Sequence, residues 1–239
     1  MRDSTAPDAE AGSPAFYPAF LDLRGRRCLL AGAGGVGRRK LGALLACNPA
    51  EVLILDPAPP HADLTRLLAH PAARFLQRGA CEADLEGMFL AVLATPDTAL
   101  NRLLAECCQA LGILCNVVDD PGAGSFIVPA HFRVDDLTVA VSTAGLSPAL
   151  ARRIRQDLQE YLGSRYEILL AVLGRLRPLI LAQGAATAEN TVLFRALADD
   201  AALAETLARR DRAGALDILR RLLPPPLHQN LDEVLHGLV

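Results

Sequence analysis

A parallel α/β fold is what this chain of 239 residues predicts, on three observations. Short apolar runs alternate with segments of helical spacing through its first half. The first run, residues 27–31, leads directly into Gly32-Ala33-Gly34-Gly35-Val36-Gly37, and the second, residues 52–55, ends in a carboxylate, Asp56. Strands separated by helices are joined by right-handed crossovers, which make neighbours parallel and leave both faces of the sheet covered.

Taken in order, residues 1–15 carry Ala, Pro, Asp, Glu, Ser and Gly with little to bury, and read as a tail. Residues 16–120 form the expected parallel-sheet domain, with strands at 27–31, 52–55, 74–77, 90–94 and 113–117 and helices at 35–47, 61–69 and 97–111. Two β-rich runs, 125–130 and 137–142, flank a polar turn at 133–136. They read as an antiparallel hairpin, which cannot extend the parallel winding without a crossover helix. Ser147-Pro148 offers an N-cap and an N1 proline to a helix whose apolar positions are Leu150, Ile154, Leu158, Tyr161 and Leu162. The unit 121–163 is therefore a hairpin and helix, suited to pairing two subunits. Residues 164–239 are helical in composition, broken near Gly184 and at Pro224-Pro225-Pro226, and end in a short apolar helix at 231–239.

The glycine run is a dinucleotide fingerprint. Gly32 permits the tight turn out of the strand, Gly34 lets the backbone approach a pyrophosphate, and Gly37 lets the next helix pack against the sheet with its N-terminus facing the phosphates. Asp56 follows Gly32 by 24 residues, close to the spacing of roughly 20 at which an acid meets the ribose hydroxyls of NAD in this Rossmann-type fold. A 2′-phosphate would meet that charge, so NAD is expected over NADP. The expected cofactor set is Gly32, Gly34, Gly35, Val36 and Gly37 in the loop, Asp56, Pro57 and Ala58 beside the adenosine ribose, and Thr95 at the end of the fourth strand. Arg38, Arg39 and Lys40 open the helix, and two readings stay open for them: contact with phosphate, or helix surface and partner contact.

With 24 basic and 27 acidic residues the net charge is −3, and nothing global draws the chain to nucleic acid or an anionic membrane. No apolar stretch reaches the roughly 18 residues of a span, and the N-terminus lacks signal-peptide order, so the chain is expected to be cytoplasmic. Six cysteines without a Cys-x-x-Cys pair read as reduced, buried thiols, and a zinc site is not expected. Lys40 is the only lysine among the basic residues. Codon bias in a GC-rich genome and the bidentate grip of arginine on carboxylates both account for that.

Four strings recur in order: Phe16-Tyr17-Pro18-Ala19-Phe20-Leu21-Asp22-Leu23-Arg24-Gly25-Arg26 before the glycine loop, Arg39-Lys40 after it, Cys115-Asn116-Val117-Val118-Asp119-Asp120-Pro121 at the fifth strand, and Val139 through Arg152 with Ser142-Thr143-Ala144-Gly145-Leu146-Ser147-Pro148. Together they resemble the N-terminal module of siroheme synthase, the precorrin-2 dehydrogenase and sirohydrochlorin ferrochelatase family, over about residues 16–161. The resemblance implies a homodimer that uses NAD to oxidise precorrin-2 to sirohydrochlorin and, in some members, inserts ferrous iron as a further substrate. It implies that Asp119, at the carboxyl end of a central strand, is the catalytic carboxylate. Read without the resemblance, Asp119-Asp120-Pro121-Gly122 is a turn.

A tetrapyrrole with eight carboxylates requires local cations to overcome the net charge. Arg133, Arg152 and Arg155 are the substrate-binding expectations, the last two sharing a helix face at spacing three. Thr143 falls where some relatives carry a serine, and is expected to line the cleft. His131 reads either as a transient iron ligand or as a surface histidine. The competing reading of the whole chain is an NAD-sensing module without catalysis, which needs the glycine loop and Asp56 but not Asp119.

Overall fold

The structure, a computed structural model, describes residues 16–162 and 166–239. The expected tail at 1–15 lies outside the described residues, as does the expected boundary at 163/164. The chain divides into two compact units, one ending at Val128 and the other beginning at Pro129.

In the first unit five strands, β1 (Arg27–Ala31), β2 (Glu51–Leu55), β3 (Ala73–Leu76), β4 (Leu90–Leu93) and β5 (Leu114–Val117), form one parallel sheet in the order β3-β2-β1-β4-β5. The helices α1 (Gly35–Leu45), α2 (Ala62–Leu68) and α3 (Thr98–Leu111) are the crossovers. Side chains alternate along each strand. Cys28, Leu30, Ile54 and Val92 therefore meet Leu41 and Leu44 of α1 and Leu64 of α2 on one face. Leu29, Leu53, Leu93 and Cys115 meet Leu104 and Cys108 of α3 and Leu85 of a 3₁₀ turn at Glu82–Leu85 on the other. Both faces are dry, which is why the strands read as unbroken apolar runs; each buried leucine or isoleucine contributes roughly 1.5–3 kcal/mol. Asp97 caps α3 by accepting from Leu100 N at 2.9 Å, and Gly112, at φ 68°, ends it in the left-handed conformation.

Two expectations about β5 and the segment after it change. β5 is an edge strand rather than a central one, because no strand of the described residues pairs beyond it. Its outer edge is covered by the segment expected to start the hairpin. Ser125 N donates to Cys115 O at 2.8 Å, Cys115 N donates to Ser125 Oγ at 2.8 Å, and Asn116 Nδ2 donates to Phe126 O at 3.1 Å. The Ser125 hydroxyl thus stands in for one partner of a missing strand. Gly124 makes the approach possible, since a Cβ there would lie 2.8 Å from Cys115 O and 3.3 Å from Val117 N.

In the second unit the hairpin consists of β6 (Ala130–Val134) and β7 (Leu137–Val141), antiparallel, with Val134 opposite Leu137. Asp135 turns at φ 48°, and Arg133 Nε donates to Asp135 O at 2.6 Å across the turn. The first strand therefore begins at Ala130 instead of 125, past Pro129, which has no N–H to give a ladder. α4 (Pro148–Leu162) packs against both strands and is capped as expected, Leu150 N donating to Ser147 Oγ at 3.2 Å. Its buried residues are few, Ala151 with Phe132 of β6.

The last five helices, α5 (Glu167–Leu181), α6 (Thr187–Asp199), α7 (Ala201–Ala208), α8 (Arg212–Leu222) and α9 (Leu231–Leu235), enclose a separate leucine-rich core that includes Val172, Leu176, Ile180, Leu203, Leu219 and Leu231. α9 is shorter than the expected 231–239, ending where Gly237 turns at φ 72°. Arg175 Nη1 donates to the carbonyls of Val234 and His236 at 2.9 and 2.8 Å and satisfies that end. Among the described residues no helix is long and apolar enough to cross a membrane. All six cysteines are free; Cys28, Cys108 and Cys115 are buried, whereas Cys47 and Cys81 are exposed, because both fall just outside their helix or strand.

Gly124→Ala is expected to lower stability by about 1–3 kcal/mol in urea unfolding by forcing the 124–126 segment off the β5 edge; an unchanged midpoint would show that the segment is not held there.

Candidate active site

The parallel register aligns the carboxyl ends of four strands in one row. Ala31 is level with Leu55 of β2 and Leu93 of β4, and Leu93 with Val117 of β5. The ladder runs one step further: Gly32 N donates to Leu55 O, Ala94 N to Ala31 O and Val118 N to Leu93 O, at 2.8, 2.8 and 3.0 Å. Asp56, Gly32, Ala94 and Val118 therefore form the last row. Asp119 is the next residue, two strand spacings or about 10 Å across from the glycine loop.

Gly32 adopts φ 89°, and a Cβ there would lie 2.5 Å from Ala94 O; a Cβ at Gly37 would overlap Gly32 O. These two absences let α1 start directly against β1. Gly34 and Gly35 have nothing within 4 Å of a Cβ position, so the space over the loop is open. Gly34 caps α1 without a side-chain bond and no acid lies in the first turn, which leaves the first N–H groups of α1, including Val36 and Gly37, directed at the mouth. Asp56 latches the loop: its Oδ2 accepts from Ala33 N at 2.7 Å and its Oδ1 from Ala58 N at 2.8 Å. Each oxygen keeps a lone pair. Pro57 and Ala58 are exposed beside it. Open room above the glycines, unpaired helix N–H groups and a carboxylate at the end of β2 fit a dinucleotide.

Thr95 is half-buried, but its hydroxyl is committed. Oγ1 donates to Asn101 Oδ1 at 2.6 Å, and Asn101 Nδ2 donates back to Thr95 O at 2.9 Å. Asn101, buried to 2% exposure on α3, is not among the residues the sequence singles out. Its signal is a polar residue on an otherwise apolar face, three before Leu104. The lock fixes the loop after β4 and leaves Thr95 oxygen lone pairs, rather than a proton, to offer a ligand.

Asp119 is exposed and has no hydrogen-bond or ion-pair partner among the described residues. Asp120 instead meets Arg102 Nη2 of α3 at 3.4 Å and accepts from Ala123 N through its carbonyl. The pair thus divides, Asp120 holding the turn and Asp119 left open. Asn116, on β5, keeps one buried acceptor, Oδ1, without a partner. A cavity of about 500 Å³ elsewhere in this unit is lined by Arg27, Arg74, Arg78, Asp84 and Met88 among others. Its arginines are bound to Glu51 and Asp84, and Arg78 holds the Asp84 carboxyl down at about 2.

The remaining expected residues lie in the second unit. Arg133 is engaged with its own hairpin turn, and Thr143 Oγ1 accepts from Ser147 N at 3.1 Å in the turn before α4. Arg152 is exposed and has no partner among the described residues, while Arg155 Nη1 donates to Gln159 Oε1 at 2.5 Å. His131 is exposed, with Nδ1 3.0 Å from Pro129 O.

A glycine-turned β1, an uncapped α1 and an acid at the end of β2 define a Rossmann-type dinucleotide-binding domain, and residues 19–130 match the family described as NAD(P)-binding. Residues 134–161 match the sirohaem biosynthesis protein central family. Siroheme synthase of Citrobacter koseri is 35% identical over 224 residues, and that of Escherichia coli O139:H28 is 34% identical over 226; each alignment covers 92% of this chain and 48% of the relative. The chain thus spans about half the length of the curated relatives it matches. Among solved structures, SirC, a precorrin-2 dehydrogenase, superposes with a TM-score of 0.70 at 26% identity over 87% of this chain and 98% of that one. Over 92% of its length the chain is thus similar to siroheme synthases, and the match of its first domain to the NAD(P)-binding family supports a nicotinamide dinucleotide as its cofactor.

Proposed function

We propose that this chain oxidises precorrin-2 to sirohydrochlorin with NAD. The observation that carries the reading is a carboxylate without a partner among the described residues, Asp119, one residue beyond the row of strand ends that includes Asp56 and the glycine loop. The likeness to SirC, a precorrin-2 dehydrogenase, over nearly the whole of that chain supports it. The first-turn N–H groups of α1 hold the pyrophosphate and the free lone pairs of Asp56 take the ribose hydroxyls. Bound NAD supplies the hydride acceptor. Asp119 takes the proton that leaves the tetrapyrrole as hydride departs, so that two electrons and two hydrogens are removed in all, and its exposure lets it pass that proton to water. Ferrous iron is a second substrate in this reading: the same carboxylate accepts the pyrrole protons one at a time as the metal enters sirohydrochlorin. Arg152 and Arg155 on α4, with Arg133 and Thr143, are the expected contacts to substrate carboxylates, and Arg152 is the one whose guanidinium is uncommitted. The hairpin and α4 are the proposed homodimer surface, because Leu146, Leu150 and Tyr161 are 76, 52 and 61% exposed there.

Anaerobic incubation with precorrin-2 and NAD is expected to shift the tetrapyrrole absorbance to that of sirohydrochlorin with one NADH per turnover; NAD binding without any shift would leave the sensing module as the reading. Asp119→Ala is expected to reduce kcat at least about 100-fold with NAD affinity within twofold, and undiminished turnover would place the base elsewhere. In Asp56→Ala the NAD-over-NADP affinity ratio is expected to fall roughly tenfold; a ratio equal to the parent's refutes the ribose contact. Sedimentation is expected to give twice the 25.4 kDa chain mass, and a single monomer at micromolar concentration would remove the homodimer.

A further inference from the structure

Lys40 stands apart from the other basic residues. It is the only lysine of the chain, it is half-buried, and no carboxylate lies within ion-pair distance of it among the described residues. Among the described residues ten of the arginines, by contrast, sit against a carboxylate, including Arg27, Arg78, Arg102 and Arg212. Burial first, and the like charge of Arg39 second, push the ammonium pKa down. Withdrawing a cation from water without an anion beside it is unfavourable. No anion of the described residues meets it, which leaves the ammonium open to one supplied by a ligand.

The helix geometry says where. α1 buries Gly37, Leu41, Leu44 and Leu45, and Gly42 faces α2, its Cβ position 4.0 Å from Leu67 Cδ2. Lys40 is two residues from Gly42, about 160° around the helix, so it occupies the flank turned away from α2. Since α2 packs on the β2–β3 half of this face, that flank looks over β4 and β5, where Ala94, Val118 and Phe126 lie and α3 is on the opposite face. Helical side chains lean toward the helix N-terminus, which for α1 is the carboxyl mouth of the sheet. Asn116 Oδ1, a buried acceptor without a partner among the described residues, belongs to the same face of β5.

We propose that the Lys40 ammonium anchors a carboxylate of the acidic substrate at the mouth between α1 and β5, on the side of the row where Asp119 stands. The cofactor pyrophosphate is the other anion within the same domain, but it belongs to the first-turn N–H groups, whereas Lys40 is the sixth residue of α1, about 7–8 Å further along the axis. Lysine suits a half-buried slot because its charge is a single compact head on a flexible stem, where a guanidinium fork would need room for five donors. This inference rests on the tetrapyrrole reading of the site.

Being the only lysine, Lys40 can be labelled alone apart from the chain's amino terminus. Reductive methylation with ¹³C-formaldehyde keeps the charge and gives one ε-dimethyl resonance, to be titrated in the full chain alone, with NAD, and with sirohydrochlorin. Alone, its pKa is expected below that of free dimethyl-lysine; sirohydrochlorin is expected to shift the resonance and raise that pKa, and NAD to leave both in place. A resonance that follows NAD instead, or neither ligand, overturns the anchor. If unmodified protein fails to bind sirohydrochlorin in an absorbance titration, the tetrapyrrole reading itself falls, a result distinct from binding with a silent Lys40. Lys40→Met, which keeps the apolar stem, is expected to weaken sirohydrochlorin and raise KM for precorrin-2 about tenfold with NAD affinity within twofold. Lys40→Arg is expected to recover part of that loss, and an unaltered KM in Lys40→Met contradicts the proposal.

Discussion

The close approach of α1 to β1 is the constraint on which the rest of the first unit depends. It exists only because no Cβ stands at Gly32 or Gly37: one would press on Ala94 O, the other would overlap Gly32 O. The same approach sets the uncapped helix terminus beside the last row of the sheet, and Asp56 holds it there through two backbone N–H groups. A carboxylate that accepts two charge-assisted bonds from adjacent loops is a stiff connection. Asp56 is therefore both a part of the fold and a part of the site, and its two duties draw on different lone pairs.

The opposite end of the row is built by a different device. β5 has no neighbouring strand, and an unprotected edge would invite pairing with other chains. Ser125, Asn116 and the bare Gly124 close it with side-chain and backbone bonds. In doing so they bring the chain back to β5 and confine 118–124 to a short loop on which Asp119 faces water while Asp120 is tied to Arg102. The strand-end row thus has rigid supports on both sides of an open carboxylate.

Charge is distributed on the same logic. Ten of the described arginines are satisfied by carboxylates of this chain, either along one helix, as in Arg153–Asp157, or across elements, as in Arg27–Glu51. Exposed pairs of this kind contribute little to stability; their effect is to commit those cations and leave the others to an outside anion. Arg152 and Lys40 are among the remainder. A net charge of −3 repels a polyanion at long range, so its capture depends on such uncommitted cations at short range.

The alternation of apolar runs and helices, the glycine spacing and the acid after β2 determined the parallel domain, all five of its strands to within a residue or so, and the kind of ligand it takes. These are local signals: burial on both faces writes a strand as an apolar run, and a close backbone approach admits only glycine. Tertiary structure alone decided that β5 is an edge, that 125–128 clasps it while the hairpin starts at Ala130, and that Thr95 gives its hydroxyl to Asn101. Each of these depends on which groups far apart in the chain are left needing a hydrogen-bond partner once the sheet has formed, and no periodicity encodes that. Lys40 shows the same division. Its type and its place on α1 were legible from the start, but its lack of an anion is a property of the surroundings that folding assembles around it.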